Sequence, residues 1–242
     1  MKQLLLLIII LFINTNTQVK PPYHGTIFMN PNIVKDSDPS SLISITYTSV
    51  KMVKMFDRRK NDWITVNAYL FDVKWNDGLT SRAQVNSEFG NLNTATIEAK
   101  KYAFLIGQLP YVLRIGINEI WIQKGTKPFG GGNHSILIHT GQSVIYEKDG
   151  IIEETLIHEA CHTSLDSIHA KSINWKKSQK DDHHYISTYA KENPIREDIA
   201  ESFLTWFAIR YRKNRMSSID YNKITQTIPN RLKYFDSIKS NE

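Results

Sequence analysis

His158 and His162 stand four residues apart in the stretch His158-Glu159-Ala160-Cys161-His162-Thr163-Ser164-Leu165-Asp166, with Glu159 between them. On a helix, positions i and i+4 lie one above the other on the same face, so the two imidazoles can each offer a nitrogen to one metal ion. The chemistry would be that of zinc, which takes histidine nitrogens at about 2.0–2.1 Å, lowers the pKa of a water to about 7 and polarises a carbonyl. Glu159, one step round the helix, would hold that water as general base and pass its proton to a leaving amine. Asp166, one turn beyond His162, is placed to hydrogen-bond a ligand or brace the helix. Cys161, the single cysteine, falls on the side of Leu156, Ile157, Ala160 and Leu165 and is expected to be a buried, inert thiol.

Two histidines do not make a catalytic zinc site, which keeps three protein ligands and one open position; the competing reading is a solvated helix face. His169 is a candidate third ligand only if the helix breaks after His162. The other carboxylate candidates are Glu197 and Glu201 in Glu197-Asp198-Ile199-Ala200-Glu201-Ser202-Phe203, themselves four apart and followed by an apolar run. Glu197 is assigned as third ligand. Glu201 is assigned as the outer carboxylate that fixes the tautomer of a ligand histidine, a regular partner in zinc sites. A metzincin arrangement needs glycine three and histidine six residues after the second histidine, and Leu165 and Ile168 stand there instead.

An HExxH helix with a glutamate on a later helix is the gluzincin pattern. With the Glu-x-x-x-Glu spacing and a tyrosine ahead of it, the segment from 158 to about 203 resembles the catalytic domain of anthrax lethal factor and the secreted Pro-Pro endopeptidases. That resemblance implies zinc metalloendopeptidase activity, Glu197 as a metal ligand, and a tyrosine that stabilises the oxyanion. Tyr189 is the matching position, one residue further from Glu197 than the family pattern, and Tyr185 is the other candidate. A hydroxyl aimed at a developing alkoxide supplies electrostatic stabilisation that acts in the transition state.

These residues need a scaffold. The chain has 242 residues, 41% hydrophobic and 22% charged, ordinary for one globular domain. The expected fold is α+β and zincin-like: a small mixed sheet packed on the HExxH helix and a second, glutamate-bearing helix. Residues 63–75 mix β-branched and aromatic side chains and predict a strand; 117–123 and 135–139 predict two more. The Gly-rich stretch between them lacks the Lys-Ser/Thr ending of a phosphate loop. Helical spacing covers 95–113, with Pro110 ending or kinking it, and 153–167. Asn193-Pro194 predicts an N-cap and first turn for a helix to about 212, and 219–239 predicts a further short helix. The polar stretch 171–192 carries no such signal. Residues 135–139 could form the edge strand that pairs with an extended substrate; His134 and His139 would then border the cleft, but a structural role is the expectation for each.

Residues 1–17 place one lysine before a short apolar run, the layout of a secretory signal peptide and too short to span a bilayer. Residues 18–42 predict a loose lead-in, and 43–242 the domain. Export, no stable membrane insertion after cleavage, a monomer, and a peptide or protein substrate are the expectations. Asn133-His134-Ser135 is a glycosylation sequon. Formal charge is +6, or +5 without Lys2, but the basic residues are dispersed, which argues against nucleic acid. The rival reading is a catalytically inactive zincin-like binding module, against which the intact Glu159 speaks.

Overall fold

A long hairpin forms one side of the sheet. In the computed structural model, which describes residues 20–239, β1 (Leu42–Asp57) pairs antiparallel with β2 (Asp62–Trp75) along its whole length. The leader expected at 1–17 lies outside the described residues. After a turn in which Gly78 takes φ 86°, β3 (Thr80–Asn86) adds antiparallel to β2. Helix α1 (Leu92–Gly107) starts at Asn91, whose side chain accepts the Thr94 N–H, and carries the chain across the sheet. Pro110 does not kink this helix; it is the N-cap of the one-turn α2 (Tyr111–Arg114). β4 (Glu119–Gln123) then lies parallel to β3, and β6 (Ser135–His139) parallel to β4, with β5 (Gly130–Gly132) folded back antiparallel on β6. Among the described residues the mixed sheet has the order β1-β2-β3-β4-β6-β5. With its helices this is an α+β fold.

The edge nearest the chemistry is therefore β5, not 135–139. β6 is buried along its length between β4 and β5. The reason lies in the glycines. A Cβ on Gly131 would stand 1.8 Å from the Glu159 carbonyl oxygen, so only a bare backbone can lie this close to the histidine-bearing helix.

That helix is α4 (Ile152–Ser164), which follows α3 (Thr140–Lys148), a helix the sequence did not announce. Leu156, Ile157, Ala160 and Cys161 of α4 join Ala99, Tyr102 and Ile106 of α1 against Val85, Ile122 and Ile138 of the sheet. The opposite sheet face buries a smaller group, Met55, Ala68, Leu70, Trp121 and Leu137. Two short helices occupy the polar stretch: α5 (Ile173–Asp182), capped by Ser172, and α6 (Thr188–Glu192), capped by Ser187. Helix α7 (Glu197–Tyr211) begins later than Asn193-Pro194 suggested. Asn193 ends α6, its carbonyl accepts the Arg196 N–H, and Pro194 sits in the resulting turn. Glu197 and Asp198 thus occupy the first turn of α7, where the helix dipole favours negative charge. The chain closes with α8 (Ser218–Thr227) and α9 (Pro229–Lys239). No helix among the described residues is long and apolar enough to cross a membrane.

Residues 20–41 form no helix, yet they are built into the domain rather than lying loose. Ile27, Ile33 and Val34 are buried, and Tyr23 bridges to Ser187. The Met29 and Asn30 N–H groups donate to the Glu154 carboxylate at 2.7 and 3.1 Å, and the Ile27 N–H donates to Glu201 at 3.0 Å.

Candidate metal centre

Helices α4 and α7 pack together and bring three donor atoms to one point. His158 Nε2 and Glu197 Oε2 are 3.2 Å apart, His162 Nε2 and Glu197 Oε2 3.1 Å, and the two Nε2 atoms 3.2 Å. All three residues are buried and form a group able to hold a metal ion. A tetrahedral ion at about 2.0–2.1 Å from each donor spaces its ligands by about 3.3–3.4 Å, so the triangle fits with shifts of a few tenths of an ångström.

The outer nitrogens explain the orientation. His162 Nδ1 lies 3.0 Å from Asp166 Oδ2, and His158 Nδ1 lies 3.5 Å from Glu201 Oε1. With protons on both Nδ1 atoms, both Nε2 lone pairs and a carboxylate oxygen converge, an arrangement that could hold a cation at its centre. Asp166 reaches His162 because it stands four residues further on, one turn along, where α4 passes into a π-helical turn, Asp166–Ala170. Glu201 is held from its other side by the Ser187 hydroxyl at 2.7 Å and the Ile27 N–H, while its Oε1 has no hydrogen bond of its own and faces His158. Burial, against which His158, Ser187 and Ile27 pull, raises the Glu201 pKa to about 7.

The same carboxylates favour a proton on His162. Burial alone would lower the His162 pKa, but the hydrogen bonds and charges of Asp166 and Glu197 outweigh it and push it up to about 9. Burial likewise opposes the Glu197 charge, and the two histidines override it, holding the carboxyl well below its usual range. A metal ion entering below about pH 9 must displace the His162 proton, so affinity should rise by up to about tenfold per pH unit until that value. The metal-free fold has the opposite dependence. A raised histidine pKa contributes stability that is full below about 6.5 and is lost as pH climbs through about 9. Zinc titration against a chromogenic chelator between about pH 6.5 and 9 checks the sign, and flat affinity would remove His162 as the competing proton carrier.

A cleft of about 470 Å³ opens on this group, lined by Glu159, His158, His162, Tyr189 and Glu197, and by Thr26, Phe28, Arg58, Pro128, Tyr146 and Arg196. Glu159 lies outside the donor triangle but borders the cleft. Tyr189 also faces it: burial first, then the charge and hydrogen bond of Glu197, raise its pKa. Tyr185 sits elsewhere, its ring 5.1 Å from the Arg231 guanidinium. His169 is not with the donors either; its Nδ1 lies 2.8 Å from the Tyr234 hydroxyl. His139 is fully buried in β6 and does not border the cleft, whereas exposed His134 borders the adjoining groove beside Gly131, Asp166 and Lys171. Cys161 is buried in the core, and burial pushes its thiol pKa well up. Asn133 is exposed, in a left-handed conformation (φ 52°).

Sequence reasoning missed Arg58, Tyr146, Thr26 and Phe28. Thr26, Phe28 and Arg58 come from segments distant in the chain from both motifs, Tyr146 from the helix just before α4, and no local spacing marks any of them. Compared with protein-family models, with curated proteins and with solved structures, the chain matches none.

Proposed function

We propose that this protein is a secreted, zincin-like zinc metalloendopeptidase whose centre is His158, His162 and Glu197. The observation that carries the reading is the triangle of donors at 3.1–3.2 Å, with Asp166 and Glu201 behind the two rings. Two neutral imidazoles and one carboxylate suit zinc, and the resemblance of HEACHTSLD and EDIAESF to the gluzincin pattern favours the same ion. Bound here, zinc would supply Lewis acidity, lowering the pKa of a water to about 7 and polarising a peptide carbonyl.

The protein's own groups then have distinct tasks. Glu159, at the cleft wall and outside the ligand set, takes the proton of the attacking water and delivers it to the leaving amine. The Tyr189 hydroxyl, raised in pKa and hence protonated at neutral pH, donates to the oxyanion as it develops. Asp166 and Glu201 keep the ligand nitrogens aimed inward. The bare main chain of β5 offers an extended peptide a strand to pair with beside the centre.

Metal analysis of the purified protein tests the reading. One zinc per chain is expected, together with peptide cleavage that stops on chelation and returns with zinc. Protein that takes up no stoichiometric zinc when reconstituted would overturn it.

A further inference from the structure

Among the described residues Arg58 stands at the cleft without a counter-ion, although its neighbour Arg59 has two. The turn between β1 and β2 is fixed by Arg59. Its guanidinium pairs with Asp57 at 2.9 Å and Glu88 at 2.7 Å and donates to Gln123 at 3.1 Å, and the Arg59 N–H donates to Asp57 at 2.8 Å. Arg58, next to it in the turn, is half-buried and lines the cleft with Glu159 and Tyr146. Among the described residues Arg58 has no ion pair.

Its place is shaped for it. A Cβ built on Gly130 would lie 2.9, 3.2 and 3.3 Å from Nη2, Nε and Cζ of Arg58, so the guanidinium covers the main chain of the edge strand where a side chain would otherwise be. The carboxylates nearby have other partners or tasks: Glu197 faces two histidines, and Glu159, at the cleft wall, is the proposed base. Tyr146 feels both sides. Burial raises its pKa first, the Glu159 charge adds to this, and Arg58 pulls it back. A planar guanidinium at a cleft matches a carboxylate in two-pronged fashion, and a half-buried cation without a partner gains from meeting one.

We infer that Arg58 is a specificity-determining residue that selects peptides carrying a carboxylate on its side of the scissile bond, either an Asp or Glu side chain or the free C-terminus. The inference rests on the peptidase reading above. Gly130 provides the seat, and Arg59 holds the turn that delivers Arg58 to it.

The test uses zinc-loaded protein and short fluorogenic peptides with Glu, Gln or Lys at successive positions on each side of the cleaved bond, each made as free acid and as amide. Wild type should prefer the carboxylate by about 10- to 100-fold in kcat/KM, the range of one charge-assisted hydrogen-bonded contact. Arg58→Ala should abolish that preference, Arg58→Glu should turn it toward Lys, and Arg58→Lys should keep part of it. Gly130→Ala, which unseats the guanidinium, should weaken it in the same direction. A preference that follows the Glu position assigns a side chain; one that disappears on amidation assigns the terminus.

Anisotropy with the same peptides on zinc-loaded Glu159→Gln protein measures the preference without turnover. Absence of cleavage with carboxylate-selective binding would count against the peptidase reading alone. No carboxylate preference in wild type, or one that Arg58→Glu leaves unchanged, overturns the role of Arg58.

Discussion

Glu159→Gln should retain one zinc per chain and lose peptide hydrolysis by about 10²- to 10⁴-fold, the usual contribution of a positioned acid-base group. The two halves of this result come from one geometric fact. Glu159 borders the cleft but does not belong to the donor triangle, which His158, His162 and Glu197 complete without it. Gln is nearly isosteric, and the β5 contact on Glu159 is made to its main-chain carbonyl, so the substitution should leave α4 and the edge strand in place. What is lost is the proton acceptor. Zinc content by metal analysis and cleavage rates on the same preparation separate the outcomes. Loss of zinc would make Glu159 a ligand; unchanged turnover would move the base elsewhere. Glu197→Ala provides the contrast, since it should fail in zinc uptake first and in cleavage as a consequence.

The parts of this site that were legible in the sequence are those set by local periodicity. His158 and His162 share a face because a helix repeats every 3.6 residues, and Asp166 reaches the same face through one more turn. Glu197 and Glu201 could be placed because an apolar helix follows them at once, so burial forces a partner on each carboxylate. What was not legible is pairing between distant segments. β1 mixes Ser, Thr and Lys among β-branched and aromatic residues and fully buries only Met55 of its apolar side chains, so it has no clean inside-outside alternation to mark its bounds, and pairing with β2 sets its length. β5 is three glycines, the residue least inclined to a strand, and exists because β6 and the Glu159 main chain accept it. The segment from Tyr23 to Val34 looked like loop because of its Pro, Asn and Gly. Its backbone N–H groups end on Glu154 and Glu201, partners more than a hundred residues away that no window could connect to it. The start of α7 slipped for a related reason: Asn193-Pro194 serves equally as an N-cap signal and as the corner of a turn, and the end of α6 decides between them.

Arg231→Met should destabilise the fold by about 3–5 kcal/mol, the cost of leaving buried charges without their partner. Arg231 is fully buried, pairs with Asp198 at 2.9 Å and Asp182 at 3.0 Å, and donates to the His184 carbonyl at 2.9 Å. Without it, among the described residues Asp198 keeps only the Gln179 amide at 2.7 Å, whereas Asp182 keeps the N–H groups of Asn230 and Arg231 at the start of α9. The damage should therefore concentrate at Asp198, the residue next to Glu197 in the first turn of α7. For a domain of this length the loss corresponds to roughly 6–20 °C in Tm, at about 2–4 °C per kcal/mol. Met keeps the apolar volume between Trp175 and Tyr185, so a repair is available: adding Asp198→Asn to Arg231→Met removes the stranded charge and should recover a large part of the loss. Thermal unfolding of the single and double variants measures both quantities. A loss below about 1 kcal/mol in the single variant would mean that water already reaches this network. A double variant no better than the single one would place the cost in packing instead of charge.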